Sequence, residues 1–255
     1  MTFETVMARW VSLDEADVGR PWAWRGGKLD VRSGMYRLLE EAQESLMRTT
    51  ASPAPESRRI LSLAQRAFGD LRALLVGLPD ELMDKAPRPD DWPVREVLRH
   101  VLLIERRYAI QTAYAIERRD SDPMRIGDDR MPAAKDVDVS GAVADVLGRI
   151  AQARTETNRR LAAVSTAGMT RPTVWVGVDV DVRFRLHRFA AHLVEHTIQC
   201  EKTLAGVGWR ETEGRRIVRQ IWSTVGELEG LAASEELRAL DALAAERDRS
   251  VLSAP

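Results

Sequence analysis

Apolar residues recur every three or four positions in four long stretches between about residues 56 and 207. This spacing places the apolar side chains on one face of an α-helix, so the stretches predict four long amphipathic helices. Residues typical of helix ends flank them. The first helix ends at Gly77 and Pro79. The second begins at Asp91 and Pro93 and runs to about Arg119, and the third covers about 140–165. The fourth follows Asp179 or Asp181 and ends near Gly206 or Gly208.

Four such helices predict an all-α protein built on a four-helix bundle. The long connections before the third and fourth helices leave room for a crossover between helices. The valine-rich segment RPTVWVGVDVDV, before the fourth helix, alternates apolar and polar residues and predicts a short extended piece. We divide the chain into an N-terminal helical extension (1–55), the bundle (56–207) and a C-terminal helical extension (208–255).

The two extensions carry weaker patterns. Residues 1–50 predict a short helix, a turn at PWAWRGG and a helix over about 33–49, whereas 211–250 predict one or two helices. Each extension is too short to enclose a core, so we expect both to pack on the bundle or on a second subunit. No internal repeat is apparent, and SPAP at 52–55 is the one short linker.

The composition of the chain argues against several classes of function. The net charge of −1 predicts no nucleic-acid or membrane partner. The single cysteine excludes a disulfide framework and a CxxC metal motif, and, with no recognisable signal peptide, predicts a cytoplasmic protein. No apolar run approaches the ~18 residues of a membrane span. The sequence has no GxxxxGK[ST], GxGxxG or GxSxG, which argues against common nucleotide-binding and serine-hydrolase folds.

The four histidines are clustered rather than scattered. His192 and His196 are four residues apart on the fourth helix, so both imidazoles face the same way and can reach one ion. His187 points ~140° away from His192 and is excluded. His100, on the second helix, is the remaining histidine and completes a predicted site of three neutral imidazoles with an open coordination position, suited to Zn, Ni or Fe.

Two motifs resemble the DinB-like (DinB/YfiT) superfamily of metal-binding four-helix bundles. One is the helix start Trp92-Pro-Val-Arg-Glu-Val-Leu-Arg-His100, with Glu105 five residues later; the other is His192-Leu-Val-Glu-His196-Thr-Ile-Gln199. The resemblance covers about residues 56–207 and implies that His100, His192 and His196 bind a divalent metal. Pro93 stands where the family often has a serine, which changes the helix cap but not the ligand.

Several neighbours of these histidines have two interpretations each. Glu105 either supports the site through a neighbour or pairs with an arginine, and Gln199 either holds a metal-bound water or substrate or is an ordinary buried polar residue. Arg107 and Gln111 either line a pocket mouth for an anionic substrate or belong to a solvated stripe. Cys200 is interpreted as a small buried apolar residue rather than a ligand.

The resemblance also implies a function. Known family activities include thiol-dependent transfer and isomerisation, with mycothiol or bacillithiol as cosubstrate. We therefore predict a metal-dependent enzyme that activates a low-molecular-weight thiol toward a small electrophilic substrate, and we expect a homodimer from family habit and from the extensions. Two alternatives remain: a hydrolase that uses metal-bound hydroxide, and a non-catalytic, metal-binding or dimerising stress-related module. Glu96 and Glu105 are the candidate general bases, and neither is assigned.

Overall fold

A computed structural model describes residues 2–52 and 54–253. Pro53, in the predicted linker, and Met1, Ala254 and Pro255, at the ends of the predicted extensions, lie outside the described residues. Within those ranges the chain forms helices joined by loops and two small hairpins. The helices are α1 (Phe3–Trp10), α2 (Glu15–Val18), α3 (Val31–Thr50), α4 (Glu56–Leu75), α5 (Val94–Glu117), α6 (Val143–Leu161), α7 (Thr166–Met169), α8 (Val182–Gly206), α9 (Glu213–Leu231) and α10 (Ser234–Leu252).

The predicted four-helix bundle is confirmed and consists of α4, α5, α6 and α8. Their apolar faces meet in one hydrophobic core, which includes Phe68, Leu102, Ile150 and Phe189. A loop from 118 to 142 joins α5 to α6 and contains two short 3₁₀ turns, Asp128–Arg130 and Ala134–Asp136. In the described parts of the chain, no helix is long and apolar enough to cross a membrane.

The helix starts differ in part from expectation. The predicted capping of α5 by Asp91 is wrong, because the Asp91 carboxylate accepts a hydrogen bond from Arg88 (2.9 Å) and α5 begins after Pro93 without a side-chain cap. Proline suits that place because its φ is already near the helical value. Of the two candidates for α8, Asp181 is the cap: its carboxylate accepts a hydrogen bond from the Phe184 amide at 2.8 Å.

The extended piece predicted before α8 is a two-stranded antiparallel hairpin, and another hairpin of the same type precedes α3. The first hairpin pairs β1 (Pro21–Trp24) with β2 (Gly27–Asp30), where only a turn was expected, and the second pairs β3 (Pro172–Trp175) with β4 (Val178–Asp181). Both turns contain two residues of positive φ, Arg25-Gly26 and Val176-Gly177, as tight two-residue hairpin turns require.

The expectation of no internal repeat is wrong. The hairpin sequences RPWAWRGGKLDVR (20–32) and RPTVWVGVDVDVR (171–183) share seven of thirteen residues at a constant offset of 151, and each leads into a long helix, α3 or α8. Asp30 caps α3 as Asp181 caps α8. The shared residues stand at or next to the ends of the first strand, in the turn, at the helix cap and in the first two helical positions, while most of the later helical residues have diverged.

A second pair of helices repeats in the same way. α4 begins with Glu56-Ser-Arg-Arg-Ile and α9 with Glu213-Gly-Arg-Arg-Ile, at an offset of 157. The contacts repeat with the sequence: Arg183 of α8 pairs with Glu56 (2.7 Å), and Arg32 of α3 pairs with Glu213 (2.6 Å). The arrangement of α8 on α4 is therefore repeated by α3 on α9.

The extensions pack together and on the bundle. α1, α3, α9 and α10 enclose a second hydrophobic core, which includes Trp10, Met35, Leu38 and Trp222. α4 and α9 pack along each other and join this core to that of the bundle. The two chain ends thus supply together the core that neither could enclose alone, and the three-part division of the chain stays a prediction.

Candidate metal centre

Three histidines meet where α5 packs against α8. One ring nitrogen from each of His100, His192 and His196 can serve as a ligand atom, and these three atoms all lie within 4.8 Å of one another. The ring centroids are 5.2 Å apart for His100 and His192, 4.7 Å for His100 and His196, and 4.3 Å for His192 and His196. The four-residue spacing on α8 aligns two of the rings, and the packing of α5 brings in the third.

The electrostatics of the cluster favour neutral imidazoles. Burial, together with the neighbouring histidines, lowers the pKa of His192 to about 2. Burial also lowers the pKa of His100, and the nearby His196 and Arg107 add to this effect, whereas Glu195 opposes it. A neutral imidazole carries the lone pair that a metal needs, so the lowered pKa values keep His100 and His192 in the ligand form at neutral pH.

One ring nitrogen in the cluster has no partner. Nε2 of His192 is buried and forms no hydrogen bond with any described residue. A buried polar atom without a partner is costly, and coordination of a metal ion would remove that cost. The residues present therefore fit a divalent ion with three nitrogen ligands, and the cluster includes no acid or cysteine among the described residues.

Gln199 sets the tautomer of His196. Its Oε1 lies 2.7 Å from Nδ1 of His196, one turn along α8. An amide oxygen only accepts hydrogen bonds, so Nδ1 carries the proton and Nε2 presents its lone pair to the cluster. This is the role that hydrogen-bond partners of metal-binding histidines commonly take. Gln199 thus contacts a predicted ligand, rather than standing free to hold water or substrate.

Glu105 pairs with an arginine, which is one of its two predicted interpretations. Its carboxylate is buried and accepts hydrogen bonds from Arg154 (2.8 Å) and from the Thr157 hydroxyl (2.6 Å). The Arg154 guanidinium also lies over the ring of Phe189, 5.6 Å from its centroid. The Glu105 carboxylate is therefore occupied inside the bundle and is not free to act as a general base.

The other predicted candidates lie away from the cluster or are inert. His187 is exposed near Glu56, outside the group of three. Cys200 is buried, and burial raises the pKa of its thiol to about 12, so it remains protonated as a small buried residue. Glu96 pairs with Arg99 on the surface of α5.

Arg107 and Gln111 hold the loop that follows α5. Arg107 donates to the carbonyl oxygen of Pro132 at 2.9 Å. Gln111 is buried, donates to the Met124 carbonyl and to the Thr173 hydroxyl, and accepts from the Ile126 amide. Gln111 therefore anchors the loop rather than a pocket mouth, and the charge of Arg107 still acts on His100.

Aromatic rings surround the cluster. Trp92 lies 5.5 Å from His100, and Tyr108 lies 5.6 Å from His192, between ring centroids. The Trp175 indole donates to the Tyr108 hydroxyl at 3.2 Å, which ties the second hairpin to α5. Thr203 donates to the Trp92 carbonyl at 3.3 Å and links the end of α8 to the start of α5.

Our sequence reasoning missed Tyr108 and two arginines, Arg185 and Arg188. The Arg185 guanidinium stacks on Tyr108 and that of Arg188 on Trp175, each 4.7 Å from the ring centroid. The signal was present: Arg188 and Arg185 precede His192 by four and seven residues, which is the helical spacing that identified His196.

The chain is similar to one protein family and to solved structures. Residues 63–200 match the DinB superfamily. No curated protein sequence matches significantly. One solved structure with a similar fold is YfiT from Bacillus subtilis, described as "a probable metal-dependent hydrolase with an unusual four-helix bundle topology". It is 14% identical, with a TM-score of 0.46, over 62% of this chain and 92% of that chain.

The superfamily match includes α5, its connection to α6, and most of α8, so all three clustered histidines fall inside it. It spans more than half of the 255 residues. The chain therefore belongs to the DinB superfamily.

Proposed function

We propose that His100, His192 and His196 bind one divalent metal ion and that the protein is an enzyme that activates a low-molecular-weight thiol toward a small electrophile. The observation that carries the proposal is the buried group of three histidines whose ligand atoms lie within 4.8 Å of one another, with no acid or cysteine among the described residues to complete the coordination. Three protein ligands leave a position for an external ligand, as in catalytic rather than structural sites.

The surrounding residues favour a thiol over water as that ligand. Water is a weak acid, and its activation commonly relies on a base that takes up the proton. The two candidate general bases and Glu195 all pair with arginines: Glu105 with Arg154, Glu96 with Arg99, and Glu195 with Arg188. A thiol, with an ordinary pKa of about 8.5, loses its proton to solvent far more easily and does not need such a base.

When bound, the metal would lower the pKa of a coordinated thiol or water. The chain's own residues supply the rest. Gln199 keeps the proton of His196 on Nδ1, so that Nε2 faces the ion. The rings of Trp92 and Tyr108 flank the cluster and contact His100 and His192. The thiol proton would pass to solvent, and the thiolate sulfur would then form a bond to the electrophilic carbon while the bond from that carbon to its leaving group breaks. The leaving group would depart with the electron pair of that bond.

The experiment begins with the metal. Purified protein is stripped with a chelator, reloaded separately with Zn²⁺, Ni²⁺ and Fe²⁺, and assayed for conjugation of mycothiol, bacillithiol or glutathione to a chromogenic electrophile. Metal-dependent conjugation that disappears in His192→Ala, but not in His187→Ala, supports the proposal. A protein that binds no divalent metal contradicts it.

The same preparations test hydrolysis, which the three-histidine cluster fits equally well at the level of a metal-dependent enzyme. Chromogenic esters and amides are offered without any thiol. Metal-dependent hydrolysis, with no thiol conjugation, would replace thiol transfer by the hydrolase alternative. Metal binding without either activity would favour a non-catalytic module.

A further inference from the structure

Two arginines extend the histidine face of α8 toward the start of the helix. Arg188 and Arg185 lie one and two turns before His192, so all three side chains leave the helix on the same side. At the rise of an α-helix they are ~6 Å and ~10 Å from His192 along the axis. A molecule that extends from the histidine cluster along α8 would therefore meet both guanidinium groups.

Arg185 lacks the partners that a buried arginine normally has. It is 5% exposed, its Nε has no hydrogen-bond partner, and it donates one long hydrogen bond of 3.4 Å to the Val174 carbonyl. By contrast, buried Arg154 pairs with Glu105 at 2.8 Å, and buried Arg215 donates to three backbone carbonyls at 3.1 Å or less. No acid of the described residues pairs with Arg185.

The absence of a counterion makes Arg185 costly to bury. Burial lowers the pKa of its guanidinium to about 10, and the charge of nearby Arg188 acts in the same direction. Its main contact is with the face of Tyr108, whose ring lies 5.6 Å from that of His192. One aromatic ring thus separates the guanidinium from the predicted metal ligand.

The internal repeat distinguishes features of the fold from features of the site. Arg188 corresponds to Arg37 at the offset of 151, and Arg37 stacks on Trp24 (4.8 Å) as Arg188 stacks on Trp175 (4.7 Å). That stacking belongs to both units and serves the fold. Arg185, in contrast, corresponds to Gly34, and the histidines correspond to other residues as well: His192 to Glu41 and His196 to Ser45. Arg185 occurs only in the unit that has the histidine cluster.

We propose that Arg185 binds a carboxylate group of the molecule whose reactive end lies at the three histidines. The planar guanidinium offers parallel N–H donors that match a carboxylate, and its single uncompensated charge matches a monoanion. Arg188 has an acid nearby, Glu195 at 3.7 Å, so Arg185 is the group that lacks an anion. The substrate of the proposed function would then be a small molecule that carries a carboxylate. That its reactive end lies at the histidines rests on the proposed function.

The main experiment compares two thiols that differ in charge. Protein loaded with Co²⁺ is titrated with 6-mercaptohexanoate and with 6-mercapto-1-hexanol, and thiolate binding is followed by the sulfur-to-cobalt absorption band. We expect the acid to bind roughly tenfold tighter or more, because hydrogen bonds between charged groups are the stronger ones. The preference should disappear in Arg185→Met and persist in the matched variant Arg37→Met, with the cobalt content unchanged in both. Equal affinity of the two thiols for the native protein would overturn the inference.

A metal-free arm separates this inference from the proposed function. Hexanoate should raise the melting temperature of the metal-free protein more than hexanamide does, and Arg185→Met should abolish the difference. Arg185→Met should itself leave the metal-free protein as stable as the native one or more stable, whereas Arg154→Met, which breaks a buried ion pair, should destabilise it. If neither thiol binds cobalt, the proposed function fails, but the effect of hexanoate on the melting temperature of the metal-free protein still tests whether Arg185 binds a carboxylate. If Arg185→Met destabilises as Arg154→Met does, Arg185 is structural and the inference fails.

Discussion

Gly69 of α4 lies directly against the backbone of Trp222 of α9. A β-carbon added at Gly69 would stand 2.3 Å from the Trp222 carbonyl oxygen. The contact is repeated in reverse, because a β-carbon at Gly226 would stand 2.5 Å from the carbonyl oxygen of Gln65. Gly69 and Gly226 are equivalent in the repeat, as are Gln65 and Trp222. The two helices therefore cross about an approximate two-fold axis, at glycines that allow their backbones to touch.

Gly69→Ala should destabilise the protein, because neither helix can move away without opening both cores. We expect a loss of about 1–3 kcal/mol in the free energy of unfolding, measured by urea denaturation. The control is Gly148→Ala on α6, where a β-carbon meets nothing within 4 Å and alanine should stabilise the helix by up to about 1 kcal/mol. Equal effects of the two substitutions would contradict the close crossing.

Metal content should depend on the three clustered histidines individually. Alanine at His100, His192 or His196 should each weaken binding severely, since two imidazoles hold a divalent ion poorly, whereas His187→Ala should retain it. Metal analysis after dialysis gives the stoichiometry, and melting temperatures with and without metal give the linked stabilisation. Full occupancy in any one of the three cluster variants would remove that histidine from the ligand set.

Gln199 should influence the metal through His196 alone. Gln199→Ala removes the acceptor for Nδ1–H and should weaken metal binding by about 10–100-fold. Gln199→Glu retains an acceptor oxygen and should restore most of the affinity. Competition with a chromogenic chelator measures both, with Gln152→Ala on the surface of α6 as control. Unchanged affinity in Gln199→Ala would show that the tautomer is set by something else.

Glu105 should contribute to stability rather than to metal binding. Its side chain is 3% exposed and that of Arg154 is fully buried, so Glu105→Gln leaves a buried guanidinium without its counterion. We expect a loss of about 3 kcal/mol in the free energy of unfolding, with the metal content retained. Glu117→Gln on the same helix breaks an exposed pair with Arg160 and should cost less than about 1 kcal/mol. If the Glu105→Gln variant folds but loses its metal, Glu105 contributes to metal binding and the prediction is wrong.

The metal-free protein should lose stability as the pH falls below about 6.5. The pKa of His192 is about 2 when folded against 6.5 when unfolded, so between these values the unfolded chain binds the proton and the folded protein does not. The stability that the neutral His192 contributes is fully present above the unfolded pKa. Below that pKa, the free energy of unfolding declines by at most about 1.4 kcal/mol per pH unit for each buried histidine of this kind. Urea denaturation at pH 7 and pH 5 should show a smaller decline for His192→Gln than for the native protein. Identical declines would contradict a buried neutral imidazole.

Much of the fold was predictable from local pattern. The four bundle helices followed from apolar spacing, and the Asp181 cap was one of two candidates. The Asp91 cap was wrong because an arginine three residues earlier took its carboxylate. The repeat was missed although the sequence contains it, because the matching segments are short, lie 151 or 157 positions apart and are separated by long helices that have diverged. The predicted homodimer stays a prediction, and one long face of α4 is already covered by α9 of the same chain.

The sequence by itself determined that His192 and His196 share one face of α8, because helical periodicity is a local property of the backbone. It also restricted the third ring of the predicted site to His100. Only the tertiary structure decided that Glu105 is occupied by Arg154 and that Arg185 has no counterion. These properties depend on which helices face each other and on how much water they exclude. Long-range packing sets both, and no local pattern in the chain records them.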